Sequence, residues 1–214
     1  MKEHTNERIV RIPIGPVTLE GVLEIPEGAV ALVIFVHGSG SSRHSPRNKY
    51  VAETLVDAGI GTLLFDLLTS EEDTLYEKRF DIDVLTERLV AVTHWARQHP
   101  RTKDMKIGYF GASTGAAAAL RAAAAFGKKI GAVVSRGGRP DLTGEALPTV
   151  ESPTLLIVGG DDDVVVQLNA GAYKTIKAEK ELNIVPGATH LFEEPGKLEQ
   201  VAHLASEWFK KYLG

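Results

Sequence analysis

The stretch KIGYFGASTGAAAALRAAAA, residues 106–125, decides the fold. Its first part, Lys106 to Phe110, is an apolar run typical of a buried strand, and its last part, Ala116 to Ala125, is an alanine-rich run typical of a helix. Between them lies Gly111-Ala112-Ser113-Thr114-Gly115, a G-x-S-x-G pentapeptide. A serine on a sharp strand-to-helix turn has its hydroxyl pushed out of the sheet, and glycines flank it because side chains there would collide with backbone. This context predicts a nucleophile at Ser113 rather than an ordinary Gly/Ser loop.

Apolar runs of the same kind recur along the chain. Ala31 to Val36 is apolar at six consecutive positions, which indicates a strand buried on both faces of a parallel sheet. Further strands are predicted at Gly61 to Phe65, Ala132 to Ser135, Thr154 to Val158 and Leu182 to Val185. At the N-terminus, Ile9 to Ile14 and Val17 to Ile25 are separated by Gly15-Pro16, which predicts a hairpin at the sheet edge.

Helical periodicity fills the spaces between these runs. Ile82, Leu85, Leu89, Val92 and Ala96 follow the spacing of an amphipathic helix, as do residues 198–212. Alternating strands and helices predict an α/β protein with a doubly wound, mostly parallel sheet, an antiparallel N-terminal hairpin and helices on both faces. We expect one domain over residues 1–214. The short, Gly/Pro-rich connection from Ser135 to Pro153 predicts no substantial lid.

Composition narrows the range of partners. The 214 residues carry 24 Lys+Arg against 28 Asp+Glu, and the net charge of −4 without a basic block argues against nucleic acid. The chain has no cysteine, which excludes disulfides, thiolate metal sites and a cysteine nucleophile. Met1 to Arg8 is polar, and no apolar run approaches the length of a membrane span. We expect a cytoplasmic monomer or homodimer that does not bind membranes.

A serine nucleophile needs a base and an acid that orients the base. Of the 7 histidines, His190 has a suitable position, because Pro186-Gly187-Ala188-Thr189-His190 follows the run Leu182 to Val185 and would lie at the carboxyl edge of the sheet. Asp161, Asp162 and Asp163 follow the run Thr154 to Val158 at the same edge. Their spacing does not match a calcium loop, and the pattern alone does not select one of the three.

The order serine, aspartate, histidine is that of the α/β hydrolases. The chain resembles this superfamily over almost its whole length, and within it the dienelactone hydrolase-like group. The resemblance rests on His37-Gly38-Ser39-Gly40, the elbow at Ser113, Gly159-x-x-Asp162-x-x-Val165 and Gly187-x-x-His190. It implies the α/β-hydrolase fold and assigns the acid to Asp162, with Asp161 and Asp163 as lesser candidates.

The same resemblance suggests groups that would hold the substrate. Two backbone N–H groups should stabilise the oxyanion, one from Thr114 and one from Ser39, with Gly40 as the alternative to Ser39. His37, Gly38 and Gly40 belong to the same loop and are possible substrate-binding residues. Arg43 and Arg136, with His44 and Arg139 nearby, are placed where they could bind a substrate carboxylate.

One departure from the family matters for function. Dienelactone hydrolases use a cysteine nucleophile, whereas position 113 is serine, so the lactone substrate is not carried over. We expect a serine hydrolase that cleaves small carboxylic esters, or related lactones or thioesters, through an acyl-serine intermediate, without a metal or organic cofactor. The alternative is a non-catalytic or very slow ligand-binding protein on the same fold.

Overall fold

A computed structural model describes residues 7–214 and arranges them around an eight-stranded sheet. The first six residues of the polar N-terminal stretch lie outside the described part. The strands are β1 (Glu7–Ile14), β2 (Val17–Glu24), β3 (Ala31–Val36), β4 (Gly61–Phe65), β5 (Lys106–Ala112), β6 (Ile130–Arg136), β7 (Thr154–Gly159) and β8 (Lys180–Val185). The helices are α1 (Pro46–Asp57), α2 (Ile82–Ala96), α3 (Thr114–Phe126), α4 (Asp163–Thr175) and α5 (Lys197–Leu213).

The strand order is β1-β2-β4-β3-β5-β6-β7-β8. β1 pairs with β2, and β2 with β4, in antiparallel fashion, whereas the other neighbouring strands are parallel. The hairpin between β1 and β2 turns at Gly15, whose φ of +54° is readily adopted by glycine. The mostly parallel sheet with an antiparallel N-terminal hairpin is confirmed.

Helices cover both faces of the sheet, because successive side chains of the central strands point to opposite sides. In β3, Leu32 and Ile34 join one core with α2, α3 and α4, whereas Val33 and Phe35 join the other with α1 and α5. All four side chains are at most 1% exposed. Burial on both faces explains why the strand is apolar at consecutive positions.

Alanine brings α3 close to the sheet. Ala116, Ala117, Ala118 and Ala119 are completely buried, and α3 contacts β5, β6 and β3. Small side chains allow this close approach, so the start of α3 is fixed directly after the carboxyl end of β5. Ser113 is the residue that connects the two elements.

The site lies where the chain changes direction along the sheet. From β3, the next strand in sequence, β4, lies on one side, and β5 lies on the other. Loops that leave the carboxyl ends of two such strands diverge and open a crevice between them. Here these are the loop His37 to Gly40 after β3 and the turn at Ser113 after β5.

Two connections shape the surroundings of this edge. The segment between β6 and β7 is short, and its 3₁₀ turns at Pro140–Thr149 pack on α3, where Arg121 Nε donates to Thr143 O at 3.1 Å. The segment between β4 and α2, for which the sequence predicted no element, forms 3₁₀ turns at Glu72–Thr74 and Tyr76–Phe80. Within residues 7–214, no helix is long and apolar enough to cross a bilayer.

Candidate active site

Ser113 lies on a strained turn between β5 and α3. Its φ is 50° and its ψ is −122°, a conformation that non-glycine residues rarely adopt. The flanking glycines leave no room for side chains: a Cβ on Gly111 would lie 2.5 Å from Ala116 Cα, and one on Gly115 would lie 2.2 Å from Val36 O. The turn therefore has the close backbone approach that its sequence pattern predicts.

Backbone hydrogen bonds fix this turn to the neighbouring strand. The Ser113 N–H donates to Arg136 O at 3.2 Å, and Ser113 O accepts from Arg139 N at 3.1 Å. Ser113 O also accepts from Ala116 N at 3.1 Å, which starts α3. The position of the hydroxyl is thus set by β6 as well as by β5.

His190 meets one of the three adjacent aspartates. His190 Nδ1 lies 2.7 Å from Asp162 Oδ2, and the two side chains are 38% and 19% exposed. Asp161 and Asp163 are exposed on the surface, and the carboxylate hydrogen-bonded to the imidazole is that of Asp162. Asp162 makes no side-chain cap at α4, so its carboxylate is directed to His190 rather than to the helix.

The loops that carry these two residues are bound to each other. Asp161 N donates to Ala188 O at 3.0 Å, and Gly160 N donates to Val185 O at 2.8 Å. Two residues after His190, the side chain of Phe192 is completely buried although its φ is 58°. A buried aromatic ring that compensates an unfavourable backbone conformation anchors the loop and limits the positions open to the imidazole.

Ser113 and His190 open into one cleft of about 270 Å³. Its lining residues are Gly38, Ser39, Ser41, Arg47, Ala112, Ser113, Arg136, His190 and Leu191. In residues 7–214 the Ser113 hydroxyl and His190 form no recorded hydrogen bond, and such contacts are often long before substrate binds. The cleft therefore brings the Ser113 hydroxyl and the Asp162-bound imidazole of His190 together at the crevice between β3 and β5.

The predicted oxyanion loop is joined to the start of α3. The Ser39 N–H donates to Thr114 Oγ1 at 2.9 Å. The sequence analysis expected this N–H to donate to the substrate oxyanion, and here the threonine hydroxyl is its acceptor. Gly38 lines the cleft, and a Cβ there would lie 3.0 Å from Ser113 Cβ. Gly40, with a φ of +69°, lies beside a neighbouring small cavity instead.

His37 is buried beneath this loop and does not line the cleft. Its Nε2 accepts from the Leu67 N–H at 3.0 Å, so the proton is on Nδ1, which donates to Gly38 O at 2.9 Å. Burial lowers the pKa of His37, although Gly38 O, Asp66 and Asp73 act in the opposite direction. Both ring nitrogens are occupied, which makes the neutral imidazole a brace between the loop and the end of β4.

The two arginines proposed for substrate binding have different surroundings. Arg43 Nη2 lies 2.7 Å from Glu20 Oε2, its N–H donates to Asp66 Oδ1 at 2.7 Å, and its Nη1 also binds Asp66. Arg43 lies outside the cleft. Arg136 is 7% exposed and lines the cleft, and its Nε and Nη1 have no hydrogen-bond partner in the described chain.

Sequence reasoning missed Arg47, which lines the cleft from the first turn of α1. Its Nη1 lies 2.6 Å from Glu193 Oε1 in the loop after His190. The signal available in the sequence was Ser45-Pro46, a helix start shortly after the predicted oxyanion loop. Arg139, by contrast, pairs with Asp141 at 2.7 Å and is absent from the cleft lining.

The described residues contain no group of three or more His, Asp or Glu side chains arranged to hold a metal ion. The cleft presents the Ser113 hydroxyl, the His190 imidazole and the guanidinium groups of Arg47 and Arg136, and the Asp162 carboxylate lies behind the imidazole.

Comparison with known proteins identifies relatives over nearly the whole chain. The sequence model of the dienelactone hydrolase family matches residues 19–213. A crystal structure of a dienelactone hydrolase from Anabaena variabilis has a TM-score of 0.94 and 55% identity, over 97% of this chain and 98% of that one. Est1E from Butyrivibrio proteoclasticus has a TM-score of 0.81 at 19% identity, over 95% of this chain and 98% of its own, which shows a shared fold alone.

Curated relatives come from two strains of Mycobacterium tuberculosis and carry the provisional name phosphoribosyl transferase. Each is 57% identical over 204 residues, which are 95% of this chain and 46% of the relative. The chain thus spans about half the length of the curated relatives it matches. Both the family match and the solved structures agree with the resemblance inferred from the sequence: the chain belongs to the dienelactone hydrolase family and has the α/β-hydrolase fold.

Proposed function

We propose that the chain is a serine hydrolase that cleaves small carboxylic esters, or related lactones or thioesters, through an acyl-serine intermediate. The observation that carries this proposal is the contact of Asp162 with Nδ1 of His190, because His190 lines the same cleft as Ser113. Asp162 holds the proton on Nδ1, which leaves Nε2 free to accept the proton of the Ser113 hydroxyl.

In the proposed reaction, Ser113 Oγ attacks the ester carbonyl carbon while His190 Nε2 takes its proton. The carbonyl oxygen becomes an oxyanion held by the N–H groups of Thr114 and Ser39. His190 then gives its proton to the leaving oxygen as the carbon–oxygen bond breaks. Water attacks the acyl-serine, His190 takes a proton from it, and the acid leaves as Ser113 recovers its proton.

The oxyanion step requires a change of partner at Ser39. In the structure its N–H donates to Thr114 Oγ1, so a substrate oxygen would replace the threonine hydroxyl as the acceptor. A prepared donor whose acceptor changes from hydroxyl to oxyanion favours the charged transition state, since hydrogen bonds to ionised acceptors are stronger. The proposed route uses only groups of the chain itself and small-molecule substrates.

The name of the Mycobacterium tuberculosis relatives is not extended to this chain. The match covers 46% of those proteins, and the elbow and the histidine–aspartate pair favour acyl transfer. A cytoplasmic location and a monomeric or homodimeric state remain proposals.

Labelling with a fluorophosphonate probe tests the function. We expect wild-type protein to be labelled and Ser113→Ala not to be, with kcat on a responsive ester reduced by about 10⁶-fold. Ser70→Ala, at an exposed serine between β4 and α2, is the matched control and should behave as wild type. Folded wild-type protein that is neither labelled nor active on a panel of esters, lactones and thioesters would favour the ligand-binding alternative.

A further inference from the structure

Within residues 7–214, Arg136 is a buried cation without a counter-ion. It ends β6 beside Ala112, and its side chain is 7% exposed where it lines the cleft next to Ser113. Nε and Nη1 are buried without a hydrogen-bond partner, and no ion pair of this guanidinium is recorded in residues 7–214. Arginine offers five N–H donors, so such a group is unusual inside a protein.

Burying the Arg136 charge without a partner lowers the pKa of the guanidinium. Burial, with a further contribution from the positive charge of Arg47, lowers the pKa of Arg136 to about 10. The guanidinium is still charged at neutral pH, where an unpaired buried charge destabilises the folded protein. A charge retained at such a penalty beside a nucleophile indicates a ligand that supplies the missing partner.

Arg47 adds a second positive charge to the same cleft. It pairs with Glu193, whose side chain is 62% exposed, but its Nε is buried without a hydrogen-bond partner among the residues that the structure describes. Arg47 also belongs to the first turn of α1, where the helix dipole adds positive potential. Two guanidinium groups therefore line the cleft, and the carboxylate that pairs with Arg47 is largely exposed to solvent, which weakens its compensation of that charge.

We propose that the substrate of the hydrolase carries a phosphate monoester, or an equivalent phosphonate, that binds between Arg136 and Arg47. The inference rests on the proposed function and specifies its substrate class. A carboxylate has one negative charge and two oxygens, which suit one guanidinium. A phosphate monoester has a charge of about −2 and three terminal oxygens, so it can accept donors from both arginines at once.

Matched esters test the substrate class by the acid they release in a pH-stat. In one series the alcohol part of the ester carries a phosphate, a carboxylate or no charge: 2-acetoxyethyl phosphate, 3-acetoxypropanoate and 2-methoxyethyl acetate. In the other series the acid part carries a phosphonate, a carboxylate or no charge: ethyl 3-phosphonopropanoate, monoethyl succinate and ethyl butanoate. In one of the two series we expect kcat/KM of the phosphorus compound to exceed both partners by about tenfold or more. Equal rates within both series, or preference for the carboxylate, would overturn the proposal.

Arginine variants assign the effect to residues. In Arg136→Gln we expect kcat/KM for the phosphorus ester to fall about 10²-fold, chiefly through KM, and its advantage over the neutral ester to disappear. Arg136→Lys keeps the charge but loses the forked donors and should be intermediate. Arg139→Gln, three residues along and paired with Asp141, is the matched control and should keep the wild-type preference.

A binding measurement makes the result independent of turnover. Inorganic phosphate should raise the melting temperature of wild-type protein and of Arg139→Gln, and should not raise that of Arg136→Met. If Arg136→Met does not fold, Arg47→Gln and Arg136→Lys serve in its place and should show a reduced shift. Absence of a shift in the wild type would overturn the phosphate site.

The two proposals fail in different ways. Ester hydrolysis with no phosphate preference and no phosphate-dependent shift leaves the serine hydrolase intact and removes the anion site. A phosphate-dependent shift that Arg136→Met abolishes, together with no labelling of Ser113, leaves the anion site intact and removes the hydrolase.

Discussion

His190 Nδ1 lies 2.7 Å from Asp162 Oδ2, which connects two loops whose residues are 28 positions apart in the chain. The contact distinguishes Asp162 from its two neighbours, which remain exposed. A proton held between Nδ1 and the carboxylate would leave Nε2 as the nitrogen that the proposed mechanism requires toward Ser113.

Asp162→Asn should lower kcat by about 10⁴-fold, because an amide in place of the carboxylate favours the wrong imidazole tautomer. Asp162 caps no backbone N–H of α4, so the variant should fold normally, as circular dichroism can check. Steady-state hydrolysis of the best ester is the measurement. Asp161→Asn and Asp163→Asn are matched controls at exposed positions and should stay near the wild-type rate. A loss at either control as large as that at Asp162 would contradict the assignment.

The central strands β3, β4, β5 and β7 were predictable because burial on both faces makes nearly every position apolar or small. Each predicted run from Ala31–Val36 onward lies within an observed strand, whereas the predicted run Val17 to Ile25 extends one residue past β2. The helix α1 left no comparable mark, since it begins with the polar run Pro46-Arg47-Asn48-Lys49 and buries one narrow stripe. A sequence pattern therefore shows an element most clearly where its surroundings are apolar on every side.

Side-chain partners were beyond the sequence, as two arginines illustrate. Arg43 and Arg136 both follow or end a central strand and were equal candidates for substrate binding. Arg43 meets Asp66 and Glu20, each 23 residues away, whereas Arg136 meets no acid in the described chain. Whether a charged side chain is paired depends on which elements the strand order brings together. The local sequence pattern does not determine that order.

Gly115→Ala should destabilise the protein by about 3 kcal/mol or more, since its Cβ would lie 2.2 Å from Val36 O in rigid backbone. Chemical denaturation provides the measurement. Gly171→Ala is the matched control: nothing lies within 4 Å of a Cβ there, and the site is inside α4. We expect that variant to be more stable than wild type by about 0.5–1 kcal/mol. Similar effects at both positions would show that the elbow is not tightly packed.

Stability should fall as the pH decreases below 6.5, the ordinary pKa of histidine, because burial lowers the pKa of His37 in the folded state. Below 6.5 the unfolded chain takes up the proton first, so the free energy of unfolding decreases with falling pH until the folded pKa is passed. Denaturation of His37→Gln at several pH values should show a smaller slope than wild type. Burial and Arg101 also lower the pKa of His99, so His99→Gln measures the contribution of His99 to the same pH slope. If the pH slope of stability in His37→Gln equals that of wild type, the lowered pKa of His37 in the folded protein is contradicted.

Arg43→Ala should reduce stability and leave substrate preference intact. The variant removes the ion pairs of Arg43 with Asp66 and Glu20. The side chains of Arg43 and Asp66 are only 18% and 21% exposed. We expect a loss of about 1–3 kcal/mol in the free energy of unfolding, since Asp66 keeps only its bond from the position 43 backbone. The ratio of kcat/KM for phosphorylated and neutral esters should match wild type, unlike that of Arg136→Gln. A variant of wild-type stability with an altered ratio would place Arg43 in the substrate site.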